Sequence, residues 1–110
     1  IFAYYADHFC DLPIKMNPEP VGTINGCWMP TIVVDEGIAF DREDLLARFK
    51  TDNIDGRVFF WPLSMLSMFE AKCGNTVSYG LFKRAVNLPS YHDIRNADMD
   101  RVIKHVRACF

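Results

Sequence analysis

Proline and glycine punctuation sets the tightest limit on what this chain can become. Prolines at positions 13, 18, 20, 30, 62 and 89 remove backbone donors and push the residue before each one out of the helical region. No helix can run through them, so the chain must be assembled from short pieces. "IFAYYADHFC" has helical apolar spacing at Ile1, Phe2, Tyr5 and Phe9 and should end near Cys10–Asp11, ahead of Pro13. "NPEPVGTING" (17–26) holds two prolines and two glycines and reads as a loop, with room for a short strand before it. "CWMPTIVVD" (27–35) reads as a strand through the β-branched Ile32, Val33 and Val34, and Pro30 moves that point toward an edge or a bulge.

Beyond Pro30 the helical signals strengthen. "DREDLLARFKTDN" (41–53) has Asp41 as N-cap, Glu43 and Asp44 in the positive first turn, and an apolar stripe of Leu45, Leu46 and Phe49. Asp55–Gly56 is a turn, "RVFFW" (57–61) reads as a strand stopped by Pro62, and "SMLSMFEAK" (64–72) as a short helix. "NTVSYGLFKRAV" (75–86) predicts a helix capped by Asn75 or Thr76, with Gly80 costing roughly 1 kcal/mol relative to Ala. "NLPS" (87–90) is extended. The last helix starts at Asn96 or Ala97 with the stripe Met99, Val102, Ile103, Val106 and Phe110. Alternating helices and strands predict a two-layer α+β domain, a small, mainly antiparallel sheet covered by helices.

Composition then bounds the function. At 110 residues the chain is one domain, and 50% hydrophobic residues suffice for a core. A net charge of −2 gives no general attraction to nucleic acid or anionic membrane, and no apolar run reaches membrane-spanning length. Cys10, Cys27, Cys73 and Cys109 lie far apart, without zinc spacing, and read as four reduced, mostly buried thiols of a cytosolic protein rather than two disulfides. The first helix opens mid-pattern, without an N-cap or an initiating Met, so residues 1–110 read as part of a longer polypeptide.

Few residues offer chemistry. There is no Gly-rich phosphate loop and no nucleophile elbow. His8 and His105 read as solvent-edge residues, His92 as an isolated loop residue, and Lys15, Lys50, Lys72, Lys83 and Lys104 sit in polar surroundings unsuited to a desolvated amine. "GRVFFWPLSMLSMF" (56–69) stands out. On its residues alone it is a core strand, with Val58 and Phe60 on one face and Phe59 and Trp61 on the other, or one wall of a ligand pocket. A base-stacking platform is disfavoured, because its glycine precedes the arginine and the chain is acidic.

The ordered set "CWMPTIVVD … FDREDLLARFKTDNIDGRVFFWPLSMLSMF … RAVNLPSY … ADMDRVIKHV" resembles the C-terminal domain of the DegT/StrS sugar aminotransferases, in particular their perosamine-synthetase-like branch. The resemblance covers nearly the whole chain. It implies the small domain of a fold-type I enzyme that uses pyridoxal 5'-phosphate (PLP) to move an amino group, from glutamate, to a nucleotide-linked keto-sugar for polysaccharide biosynthesis. It places the catalytic lysine and the cofactor contacts in a large N-terminal domain outside these residues, so this segment would bind no cofactor and be inactive alone. By the same resemblance Arg57 faces an anionic group of the substrate or donor, while Phe60, Trp61 and Ser64 line the sugar side. Two positions depart from the family pattern. Asn53 replaces a turn glycine, and Ser64 replaces a histidine, leaving any role of that imidazole without its side chain. A cytoplasmic homodimer is expected, with an apolar face on the first helix (Phe2, Tyr5, Phe9) and on "MLSMF" left for the large domain. The alternative reading is a stand-alone α+β ligand-binding or regulatory module.

Overall fold

The computed structural model describes residues 1–110. Helix α1 (Phe2–Phe9) leads into β1 (Ile14–Lys15), β2 (Thr31–Val34), α2 (Arg42–Thr51) and β3 (Arg57–Val58). A single 3-10 turn (Leu63–Met65), α3 (Thr76–Leu81), β4 (Ala85–Asn87) and α4 (Asn96–Arg107) follow. The strands form one sheet in the order β1-β2-β4-β3, and every neighbouring pair is antiparallel. This is the expected α+β architecture.

Period-two alternation explains which residues turn inward. Ile32 and Val34 share one face of β2, and Val86 lies opposite Ile32 across the β2–β4 pair. On that face Ile32 and Val86 join Leu88 just past β4, Tyr5 and Phe9 of α1, Leu45 and Phe49 of α2, and Met99, Val102, Ile103 and Val106 of α4 in one buried cluster. Each such side chain contributes roughly 1.5–3 kcal/mol of burial before entropy is charged. On the other face Thr31, Asn87 and Arg57 form a row across three strands, and Thr31 Oγ1 donates to Asn87 Oδ1 at 2.8 Å.

Helix α2 forms where its capping chemistry directs. Asp41 accepts from the backbone N–H groups of Glu43 and Asp44 at 2.9 and 3.1 Å. Asn53 closes its far end at φ 54°, the left-handed conformation in which asparagine can stand for the family's glycine. The turn that follows needs Gly56 for space. A Cβ there would lie 2.3 Å from Phe49 Cδ2, so this glycine lets the turn pack onto a buried ring.

Several sequence expectations change. The predicted strand 27–35 shortens to Thr31–Val34 and lies inside the sheet, so Pro30 marks no edge or bulge; it precedes the strand, fully buried. The predicted strand 57–61 keeps only Arg57–Val58, because Phe59 makes one more bond to Ala85 and the chain then leaves the sheet for Pro62. The expected helix 64–72 is a single 3-10 turn over Leu63–Met65. The expected helix 75–86 stops at Leu81, and its last residues form the buried strand β4. Tertiary pairing with β2 and β3 overrides helix propensity there.

Tyr5 and Phe9 are buried against α4, which overturns the exposed face expected on α1; "MLSMF" is exposed as expected. Cys10, Cys27 and Cys73 are exposed and Cys109 is half-buried, so all four are free thiols but not the buried ones expected. His105 is half-buried at the edge of the core. It sits edge-on to Phe49 and meets an Asp52 carboxylate oxygen at 2.6 Å. No helix is long and apolar enough to cross a membrane.

Candidate functional site

The sheet's polar row opens into a cleft of about 380 Å³ at the junction of β3, β4 and α4. Asn53, Asp55 and Arg57 come from the turn after α2, Asn87 to Tyr91 from the segment leaving β4, and Asp98 and Arg101 from α4. Its apolar floor includes Leu88, Ile94 and Val102. The "NLPSY" wall is tightly held. Tyr5 Oη donates to the Pro89 carbonyl at 3.1 Å, Ser90 Oγ donates to the Trp28 carbonyl at 2.9 Å, and the Leu88 N–H bonds to the Pro30 carbonyl at 2.8 Å. Burial holds the Tyr5 phenol protonated, pushing its pKa well up, so it acts as a fixed donor beneath this wall.

Two arginines meet two carboxylates in the cleft. Arg57 donates from Nη2 and Nε to Asp55 Oδ2 at 2.7 and 3.3 Å, largely in solvent. Arg101 donates to the Asp52 carbonyl at the end of α2. Asp98 is held by Arg95 at 2.8 Å, and that bond keeps its carboxyl below the usual range. The Arg57–Asp55 pair is exposed, so separating it costs little.

Of the four residues named from sequence, only Arg57 lines this cleft. Phe60 and Trp61 stand outside it on the arm that leaves β3, exposed by 58% and 49%. They are not core residues. Phe60 packs edge-on to Phe59, and the Trp61 ring lies 5.0 Å from that of Phe82. Ser64, on the 3-10 turn, shares a 2.6 Å hydroxyl contact with Tyr79 of α3. The four thus divide between a charged cleft and an aromatic, hydroxyl-bearing arm.

Sequence reasoning missed Asn87, Arg101 and Tyr79. Asn87 reads from sequence only as the start of the extended "NLPS" segment, with nothing to aim its side chain at the cleft. Arg101 carries a weak signal, being on the polar side of the α4 stripe. Nothing in the sequence links Tyr79 to Ser64. The histidines stay apart from the cleft: His8 bonds the Tyr4 carbonyl at 2.7 Å, and His92 faces Asp93 in solvent.

The chain is similar to known proteins. The chain matches the model of the DegT/DnrJ/EryC1/StrS aminotransferase family over residues 1–107. GDP-perosamine synthase of Vibrio cholerae is 25% identical over 109 residues, covering 96% of this chain and 30% of that protein. Spr1654 of Streptococcus pneumoniae, solved in its PLP-form, superposes with a TM-score of 0.83 at 17% identity, over 97% of this chain and 29% of that one. DesI, crystallised in the presence of its TDP-sugar product, gives a TM-score of 0.82 at 20% identity, over 98% and 29%. At such identities the two structures share the fold with this chain. The chain spans less than a third of the length of each of these relatives. With a family match along almost its whole length, the chain belongs to the DegT/DnrJ/EryC1/StrS aminotransferases.

Proposed function

We propose that residues 1–110 are the C-terminal small domain of a PLP-dependent aminotransferase that moves an amino group from glutamate to a keto-sugar carried on a nucleoside diphosphate. The observation that carries this reading is the family match over residues 1–107, supported by a relative named GDP-perosamine synthase that aligns along 96% of the chain. The coverage of less than a third of each relative supports a second, larger domain in the whole protein.

PLP requires a lysine for its imine linkage. Here all five lysines are exposed and none lines the cleft, so these residues do not fit as the cofactor's attachment. On this reading the cofactor belongs to the large domain, and the small domain supplies substrate contacts. Arg57 serves an anionic group, a diphosphate or a donor carboxylate, through a guanidinium fork suited to two-point contact. Phe60, Trp61 and Ser64 serve the sugar side. Four free cysteines support a reducing, cytoplasmic setting, and the uncovered apolar residues of the arm support a homodimer. The amino sugar formed would feed polysaccharide assembly.

The test is the full coding sequence that contains these residues. Its product, given PLP, glutamate and a GDP- or TDP-linked keto-sugar, should form the amino sugar, and residues 1–110 alone should not. A coding sequence that starts within a few residues of Ile1 favours the stand-alone module, and turnover by the 110 residues alone contradicts the division of labour.

A further inference from the structure

Ser64 and Tyr79 reach one another from the 3-10 turn and from α3, hydroxyl to hydroxyl at 2.6 Å. Each oxygen already accepts a second bond. The Lys72 N–H donates to Tyr79 Oη at 3.2 Å, and Asn75 Nδ2 donates to Ser64 Oγ at 3.3 Å. A hydroxyl has one proton and two lone pairs. Suppose Ser64 donates to Tyr79: the tyrosine's lone pairs are filled, its proton is unused, and Ser64 keeps one lone pair. Suppose the reverse: Ser64 is filled, its proton is unused, and Tyr79 keeps one lone pair. Either way the pair offers one donor and one acceptor, on adjacent oxygens. Both residues are only partly buried, so these valences face a region that solvent or a ligand can enter.

The surroundings complete a recognisable chemistry. Trp61 lies three residues before Ser64, and Phe82 three residues after Tyr79. Their rings pack 5.0 Å apart, and Arg42 lies over the Phe82 ring at 5.7 Å, which holds the half-exposed indole on the same arm that carries the hydroxyl pair. An apolar aromatic surface next to a small number of placed polar groups is how ligand sites bind and orient a molecule that has both kinds of face. A pyranose is such a molecule, with C–H faces and neighbouring hydroxyls that each donate and accept.

We infer that Tyr79 is a specificity-determining residue of this arm, acting with Ser64 as a two-hydroxyl clamp on adjacent ring hydroxyls of the sugar while Trp61 carries the ring face. This inference rests on the sugar-aminotransferase reading. The clamp matches a sugar that presents a hydroxyl pair there, and it leaves its donor and acceptor unmatched on a sugar that is deoxy at either position. It also gives Ser64, the residue standing where the family has histidine, a defined partner.

The experiment measures equilibrium binding of the full coding product, wild type, Tyr79→Phe, Ser64→Ala and the double variant. The probes are GDP-perosamine and a TDP-linked amino sugar, each against its free nucleoside diphosphate. Losing one net hydrogen bond predicts roughly three- to tenfold weaker binding of the preferred sugar nucleotide by each single variant. Binding of the free nucleotide should be unchanged. Because the two hydroxyls act as a unit, the double variant should lose little more than either single one. Thermal melting of each variant reports a purely structural role separately. Wild-type affinity in Tyr79→Phe, with or without a lower melting temperature, overturns the inference, as does equal weakening of sugar nucleotide and free nucleotide. A wild-type protein that binds neither sugar nucleotide overturns the aminotransferase reading, and the clamp with it.

Discussion

The layer formed by the sheet, α1, α2 and α4 and the arm from Phe59 to Leu81 are both rich in apolar residues, yet they use them in opposite ways. The layer, with Leu88 just past β4, supplies every residue of the buried cluster. From 59 to 81 not one residue is buried, although the arm holds Phe59, Phe60, Trp61, Leu63, Leu66, Met68 and Phe69. Apolar content therefore does not sort core from surface; position against the sheet does. Contiguous exposed apolar residues are uncommon on soluble monomers and mark contact surfaces. We propose that the layer carries stability and the arm carries contacts.

The largest effects should come from the layer. Phe49 is fully buried, so Phe49→Ala should cost about 3–5 kcal/mol, enough to unfold much of a domain this size. Gly56→Ala forces a methyl into the same ring and should cost about 1–3 kcal/mol. Urea unfolding of the 110-residue chain measures both. A loss below 1 kcal/mol for Phe49→Ala would show that the layer is not the seat of stability.

Acid should also loosen the layer first. Asp11 takes a two-point contact from Arg107, which holds its carboxyl down at about 2 against an ordinary 3.8. His105 lowers Asp52 and Arg95 lowers Asp98, so all three carboxylates are stabilised in their charged, folded state. The sign follows from linkage: groups with depressed folded pKa values contribute fully above their unfolded pKa, and that contribution fades as pH falls through the folded one. Melting temperature should be flat from neutrality to about pH 5 and fall between about pH 4 and pH 2. Arg107→Met should remove part of that slope by releasing the ends of α1 and α4. An unchanged slope would show that Asp11 is not part of the acid response.

The same contrast explains what the sequence disclosed. Helix α2 was legible because the Asp41 cap and the Leu45/Phe49 stripe make local capping and long-range burial agree, and α4 because its Met99–Val106 stripe is buried as its spacing implies. β4 was hidden because Ala85 and Val86 continue a helical pattern, and only pairing with β2 and β3 makes them, with the extended Asn87, a strand. The arm misled for the converse reason. "RVFFW" has strand composition, but beyond Phe59 no partner strand remains to pair with it. Of the site, Arg57, Phe60, Trp61 and Ser64 were named through the family resemblance. Their division between a cleft and an arm depends on tertiary geometry that no spacing encodes, as does the pairing of Ser64 with Tyr79.

The smallest effects on folding should come from the arm. Met68→Ser and Leu66→Ser, at exposed positions, should change stability by less than about 0.5 kcal/mol. Their effect should appear instead in association, as a lower fraction of dimer by light scattering across a dilution series. A stability loss comparable to that of Gly56→Ala would merge the arm with the layer and dissolve the contrast.

Arg57 stands where the two regions meet, at the end of the layer's sheet and the start of the arm, with its side chain 74% exposed. Comparing the melting temperature and sugar-nucleotide affinity of Arg57→Ala with wild type, in the full coding product, tests the account most directly. The account predicts a melting temperature within about 2 °C of wild type and binding weakened about tenfold or more, since one charge-assisted contact is worth roughly 1.5–3 kcal/mol. A variant that melts several degrees lower yet binds the sugar nucleotide as wild type does would contradict it.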